Sequence, residues 1–587
     1  MSLFEKTVHH YLSHLYGPRA DEVQRRLEQH IAHFRPMLPA ALPCNTAAPN
    51  APTWSEKDQW VISYGDSIVT EDTPPLAVLS HFLQHYLGER ISGVHILPFF
   101  PWSSDDGFSV IHYREVDSVL GDWSHIRELA SHYDLMADLV LNHVSRESLW
   151  FVDYLTGSLP GRDYFIEVDP ETDVSQVTRP RSSPLLVPIS TRRGTRHLWA
   201  TFSEDQIDLN FENPDVLLEF VGILLFYLQQ GVRMIRLDAV AFLWKRLGTP
   251  CIHLPETHTV VRLLRAIVDE IAPGTLLITE TNVPHAENIS YFGLERLPKG
   301  APDEAHMVYQ FALPPLLLHT LTRGEATTLQ TWLASLPVLP KQCTYLNFTA
   351  SHDGIGVRPL EGLLPDHERD ALLELMHRFG GFVSMRSNPD GSDTPYEINI
   401  TWFEAMRGTR RGPDPWQIAR FICSQAIMLS LQGIPALYLH TLTGTLNDVE
   451  GVERSGRLRS INRRRWKFDE LALLLESPST PTHDVFHALC LLLELRRNEP
   501  CFHPHAAQRV LPTPPELLAI ERGPLKEGRR LLALFNVTDS LLSFDNFGEP
   551  VSQLLGLHDW QLLNSDTPWR EDAALPPYAV RWLVARS

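Results

Sequence analysis

The run GVRMIRLDAV (231–240) is apolar enough for a buried strand, yet it carries Arg236 and Asp238 two residues apart. Side chains at that spacing leave a strand on the same face, so guanidinium and carboxylate stand side by side. Taken alone, the pair is either a buried structural ion pair or a carboxylate kept ionised for reaction. Other ionisable residues end other apolar runs: Asp138, Asn142 and His143 in LMADLVLNHV, Glu280 in TLLITET, His352 and Asp353 in TYLNFTASHD. Each also has an ordinary reading. Glu280 with Thr281 could cap the next helix, Asp353 could be the N-cap of a turn, and His143 a hydrogen-bonded rim histidine.

What positions these residues is legible in the runs themselves. Eight apolar stretches recur, at 60–65, 93–100, 135–144, 232–238, 275–281, 307–313, 344–353 and 435–441. Between most of them lie amphipathic segments such as 214–231 and 257–274, each ending at Gly. Strand and helix alternating eight times predict an α/β fold, a (β/α)8 TIM barrel, whose reactions occur at the carboxyl ends of its strands. The polar residues above all fall in that one plane.

The barrel accounts for 58–503. Two connections within it, 145–205 and 355–412, are too long and polar for simple loops and read as excursions from the catalytic rim. Residues 1–57 form a helical extension, periodic over 3–35, followed by a Pro/Ala/Asn linker at 41–54. From 504 to 587 short apolar runs with turn residues between them predict a C-terminal antiparallel β domain.

The 587 residues carry a formal net charge of −20, which argues against nucleic-acid or anionic-membrane partners. Six cysteines lack CxxC spacing, so neither a zinc site nor a disulfide framework is expected. The first residues lack a signal-peptide pattern and no apolar run reaches membrane-spanning length, so the expectation is a soluble cytoplasmic protein.

DLVLNH, GVRMIRLDA, ITET and ASHD resemble, in order, the four short motifs of the α-amylase superfamily, glycoside hydrolase family 13. The resemblance extends over about 58–587 and implies roles by motif position. Asp238 would be the nucleophile, Glu280 the general acid/base and Asp353 the transition-state stabiliser; Arg236 would flank the nucleophile, and His143 and His352 would hydrogen-bond the sugar. The physics agrees. Retaining glycosyl transfer needs one ionised carboxyl to attack the anomeric carbon and one protonated carboxyl to assist the leaving group. Arg236 is expected to hold the pKa of Asp238 down while Glu280, less compensated, keeps its proton.

HILPFFPWSSDDGFSVIHY and LRSINRRRW resemble segments of the sucrose phosphorylase subgroup. That implies Asp105 and Phe108 closing the pocket, with Arg459 paired to Asp105 as a lid. Phe202 in ATFSEDQIDLNF would be a hydrophobic platform. Arg181 in TRPRSS, beside Arg179, and Tyr396 in TPYEINI match phosphate-binding positions. Solvated loop charges are the ordinary alternative for both arginines. Asn282 and Glu397 depart from the His and Gln common in sucrose phosphorylases, at positions expected to face the acceptor. Together with the chain length, they look more like the glucosylglycerate phosphorylase branch.

The implied activity is reversible phosphorolysis of a small α-glucoside, best matched by 2-O-α-glucosylglycerate, to α-glucose 1-phosphate. Arg193, Arg196 or His197 would supply charge for glycerate. Inorganic phosphate is the co-substrate and no other cofactor is expected. Asn142 matches an asparagine of the amylases' structural calcium site, but its companion ligands are not identifiable, so no metal is expected. The same machinery would serve sucrose, sucrose 6′-phosphate or glucosylglycerol. Using water or a sugar instead, it would be an α-glucosidase or transglucosidase. A non-catalytic barrel is a further alternative, disfavoured by retention of all three carboxyls.

Overall fold

The computed structural model describes residues 2–38, 54–293, 302–388, 392–524, 528–565, 568–569 and 574–585. Eight parallel strands close a barrel: β1 (Trp60–Ser63), β2 (Gly93–Ile96), β3 (Asp134–Val140), β4 (Val232–Asp238), β5 (Leu276–Thr279), β6 (Met307–Tyr309), β7 (Thr344–Asn347) and β8 (Ile434–Tyr438). Each strand has its two chain neighbours on either side, and β8 pairs with β1 to close the ring. Each of the eight expected runs overlaps one barrel strand. The runs are apolar throughout because a parallel barrel is covered on both faces, by its own interior and by the helices around it.

Helices Pro214–Gln229 and Pro255–Ile271 flank β4 and supply much of that outer cover; both start with proline in the first turn. After the first, Gly231 takes φ +93°, which lets the chain turn directly into β4.

The first insertion carries a hairpin, Leu186–Thr191 with Gly194–Trp199. The second folds as a three-stranded sheet, Ile355–Gly356, Asp393–Asn399 and Phe382–Ser387, with helix Asp366–Arg378 beside it. The C-terminal part is a five-stranded antiparallel sheet, as expected, with an unexpected helix, Glu549–Leu557.

The N-terminal extension is two helices, Leu3–Tyr16 and Ala20–Phe34, where the periodicity predicts one segment over 3–35. Gly17 at φ +52° followed by Pro18 breaks it. The hairpin packs Val8, Leu12, Val23, Leu27 and Ile31 into the main core, and Arg26 lies 2.6 Å from Asp215 on the barrel. Most of the linker expected at 41–54, with Cys44, lies outside the described residues. The five described cysteines are free and buried. Among the described residues no helix is long and apolar enough to cross a membrane.

Candidate active site

Register decides how the opening pair is used. In the β3–β4 ladder Asp138 lies opposite Arg236, and Val140 opposite Asp238. Arg236 Nη1 therefore donates to two carboxylates, Asp138 and, at 2.7 Å, Asp238. Asp138 also contacts His95 Nε2 at 2.7 Å. Burial alone would raise the Asp138 carboxyl, but Arg236 and His95 outweigh it and hold it below the usual carboxylate range. The buried ion pair expected as an alternative to a reactive pair is thus also present, one strand over.

Immediately after Asp238 the chain enters the left-handed region at Ala239, φ +50°. That turns the Ala239 N–H to Glu280 Oε2, 3.0 Å away, and brings the end of β5 to the end of β4. Burial pushes the Asp238 carboxyl well above its ordinary value; Arg236 offsets part of this and the neighbouring Glu280 adds to it. The expectation that Arg236 holds Asp238 down is therefore corrected: one guanidinium shared with Asp138 does not cancel the desolvation of a fully enclosed carboxyl. Burial raises Glu280 too. Asp353 goes the other way, lowered because Arg459, Arg236 and Arg463 together overcome its burial.

The three carboxyls open onto one cleft, with Arg236 buried behind it. Asp105, Phe108, His143, Phe202, Asn282, His352 and Tyr396 all face it, as do Asp238, Glu280, Asp353 and Arg459. Phe108 stacks on His352, centroids 4.8 Å apart and planes 6° off parallel. His143 Nε2 lies 2.9 Å from the Phe108 carbonyl oxygen. Burial lowers both histidines, so both are neutral. Phe202 packs against His143 and edge-on against Phe242. Arg179 and Arg181 reach the cleft from the first insertion, and the Arg181 guanidinium lies 5.0 Å over the Tyr396 ring from the second.

Three expectations are corrected. Arg459 is not paired with Asp105: its Nε and Nη2 donate to Glu397 at 2.8 and 3.0 Å, and its Nη1 lies 2.6 Å from Asp353. Asp105, strained at φ +53°, instead accepts from Gln206 at 3.3 Å, and its neighbour Asp106 takes Arg463. Glu397 does not face an acceptor, since it is 2% exposed with both oxygens on Arg459. Arg193 and Arg196 pair with Glu167 on the solvated hairpin, and neither they nor His197 lines the cleft.

The structure also brings in residues that the sequence reading passed over: Gln206, Arg358 and Arg386 on the cleft wall, and Arg463 behind it. For Arg463 the run of arginines in LRSINRRRW was a signal; for the others none stood out. Lys245 is a further case. Its Nζ lies 2.6 Å from both Asn142 Oδ1 and Asp208 Oδ2, so an ammonium already occupies the oxygens that a calcium ion would need. These donors do not fit a structural calcium ion.

Comparison with known proteins agrees with the four motifs. The family model described as the catalytic domain of alpha amylase matches residues 83–353. The chain is 44% identical over 531 residues to a glucosylglycerate phosphorylase of Escherichia coli (strain K12), covering 90% of this chain and 92% of that one. It is likewise 44% identical over 586 residues to a glucosylglycerate phosphorylase of Spirochaeta thermophila, covering 98% of this chain and 97% of that one. Among solved structures, a sucrose 6F-phosphate phosphorylase from Thermoanaerobacter thermosaccharolyticum shares the fold, with a TM-score of 0.70 at 24% identity over 82% of this chain and 94% of that chain.

Proposed function

Since the chain belongs to the α-amylase family, in its sucrose phosphorylase subgroup, we propose that it is a glucosylglycerate phosphorylase that works by double displacement with net retention. The observation carrying this is the 44% identity to glucosylglycerate phosphorylases over nearly the whole chain, N-terminal extension included.

Asp238, nearly buried, and the partly exposed Glu280 are neighbouring carboxyls that both resist ionisation, and the mechanism needs one proton held between them. Asp238 has the guanidinium at 2.7 Å, whereas Glu280 accepts from the Ala239 backbone N–H at 3.0 Å. The proton therefore rests on Glu280. Asp238 attacks the anomeric carbon of the glucosyl unit, and Glu280 gives its proton to the departing glycerate oxygen.

Phosphate then attacks the glucosyl ester of Asp238 from the face that glycerate has left. The bond to Asp238 breaks, and α-glucose 1-phosphate departs. Asp353, kept ionised by Arg459, stabilises the oxocarbenium-like states on either side of that ester. Arg181 and Tyr396 hold the phosphate; a guanidinium suits its oxygens bidentately, and its charge offsets that of the carboxyls below. Run backwards, the same steps glucosylate glycerate. A cytoplasmic setting fits the free, buried cysteines.

The test is one panel: purified enzyme, inorganic phosphate, and glucosylglycerate, sucrose, sucrose 6′-phosphate or glucosylglycerol, with glucose 1-phosphate as readout. Glucosylglycerate is expected to give the highest kcat/KM. Release of free glucose at the same rate without phosphate would refute phosphorolysis.

A further inference from the structure

We propose that Arg358, with Arg386 beside it, is the site that binds the carboxylate of the acceptor, apart from the arginine that holds phosphate. The inference rests on the glucosylglycerate reading and adds to it the residues that recognise the acid.

The leaving oxygen is the one that Glu280 protonates, so the acceptor lies on the Glu280 side of the cleft. Two residues beyond Glu280, Asn282 packs so closely on Gly356 that a Cβ there would come within 2.5 Å of Asn282 Oδ1. Two residues beyond Gly356 is Arg358, at the start of the turn Arg358–Leu360. Arg358 and Arg386 thus reach the cleft from the wall that Asn282 touches, while Arg179 and Arg181 come from the first insertion.

The hydrogen bonding of these arginines differs in a way that points to a ligand. Arg459 is committed to Glu397 and Asp353 through three nitrogens. Among the described residues Arg358 has one long contact, Nη2 to Glu287 at 3.4 Å, and its Nε is buried with no partner. A buried guanidinium N–H without an acceptor is costly. Asn282 Oδ1, beside it, is likewise buried and unpartnered. A carboxylate on Arg358 and a hydroxyl on Asn282 would satisfy both, and glycerate joined to glucose through its C2 oxygen still carries a carboxylate at C1 and a free hydroxyl at C3. Arg386, anchored by Thr394 at 3.1 Å and Glu361 at 2.9 Å, adds a second positive charge.

The experiment runs the reaction in the synthetic direction, with glucose 1-phosphate as donor and either glycerate or glycerol as acceptor. Glycerol keeps the two hydroxyls of glycerate and replaces its carboxylate by an uncharged hydroxymethyl group. Arg358→Gln is expected to lower the ratio of kcat/KM for glycerate over glycerol by roughly 10- to 100-fold, the loss of one charge-assisted pair. Arg358→Lys should recover part of the ratio, because it keeps the charge but not the fork. Arg386→Gln should shift the ratio in the same direction, by less.

If wild type uses glycerate and Arg358→Gln leaves the ratio unchanged, the carboxylate site is overturned even if both rates fall together. A wild type that prefers glycerol overturns the glucosylglycerate reading itself, and this site with it.

Discussion

Glu397 grips Arg459 with both carboxylate oxygens, at 2.8 and 3.0 Å, and leaves only the third guanidinium nitrogen for Asp353, at 2.6 Å. Glu397 is thus a positioning residue: it fixes the arginine that keeps Asp353 ionised. Glu397→Gln is expected to lower kcat by about 10-fold or more and to destabilise the fold by about 3 kcal/mol, because a nearly buried pair loses one charge. Acceptor preference should not change. Steady-state kinetics with two acceptors and thermal unfolding check this; a changed preference at constant kcat would return Glu397 to the acceptor site.

In the proposed mechanism Glu280 must be protonated to act, and burial raises its pKa, so activity is expected to be lost as pH rises through that raised value. Glu280→Gln should nearly abolish phosphorolysis of glucosylglycerate yet leave measurable turnover of α-glucosyl fluoride, whose leaving group needs no proton. With that substrate the basic limb of the wild-type pH profile should be absent. A basic limb that persists would assign it to another group.

Asp238 also has a raised pKa, so the folded state binds its proton more tightly than the unfolded chain does. The sign is opposite to that of a salt-bridged carboxylate: stability falls as pH climbs from the ordinary carboxylate range towards the raised value. Asp238→Asn is therefore expected to lower activity by roughly three orders of magnitude and to raise the unfolding temperature near neutral pH. The gain should disappear in acid, where the wild-type carboxyl is protonated as well. Calorimetry at both pH values decides.

Lys245 balances the fully buried Asp208. Lys245→Met strands that charge and should cost about 3 to 5 kcal/mol of stability. A chelator, by contrast, should change neither the unfolding temperature nor the activity. Protection of the methionine variant by added calcium, seen as a higher unfolding temperature, would show that a metal can take the ammonium's place.

The barrel was legible because each of its strands is buried on both faces and so reads as a continuous apolar run; β4 could be placed from VRMIRLD alone. The carboxyls were legible because they end such runs. The insertions were legible only as long polar connections and not as folds, since their polar chains follow no period. Arg358 in GIGVRPLEG looks like any loop arginine until the three-stranded sheet turns it inward. The pairing of Arg459 was misjudged for a related reason. Neighbouring residues Asp105 and Asp106 both take positive φ, and only the backbone shows that Asp106 receives Arg463 while Asp105 turns to Gln206. Likewise, sequence places Arg236 beside Asp238 but cannot show that register gives it a second carboxylate to serve.

The contact of Arg181 with Tyr396 joins two excursions that leave the barrel just over two hundred residues apart along the chain. It works as a clasp. A cation resting on an aromatic face is worth about 0.5 to 2 kcal/mol, enough to favour one placement of the two excursions relative to each other. In the proposed reaction the ring supports a face of the guanidinium and leaves its in-plane N–H groups to phosphate, so the contact that joins the two excursions would also aim Arg181 at the incoming reagent.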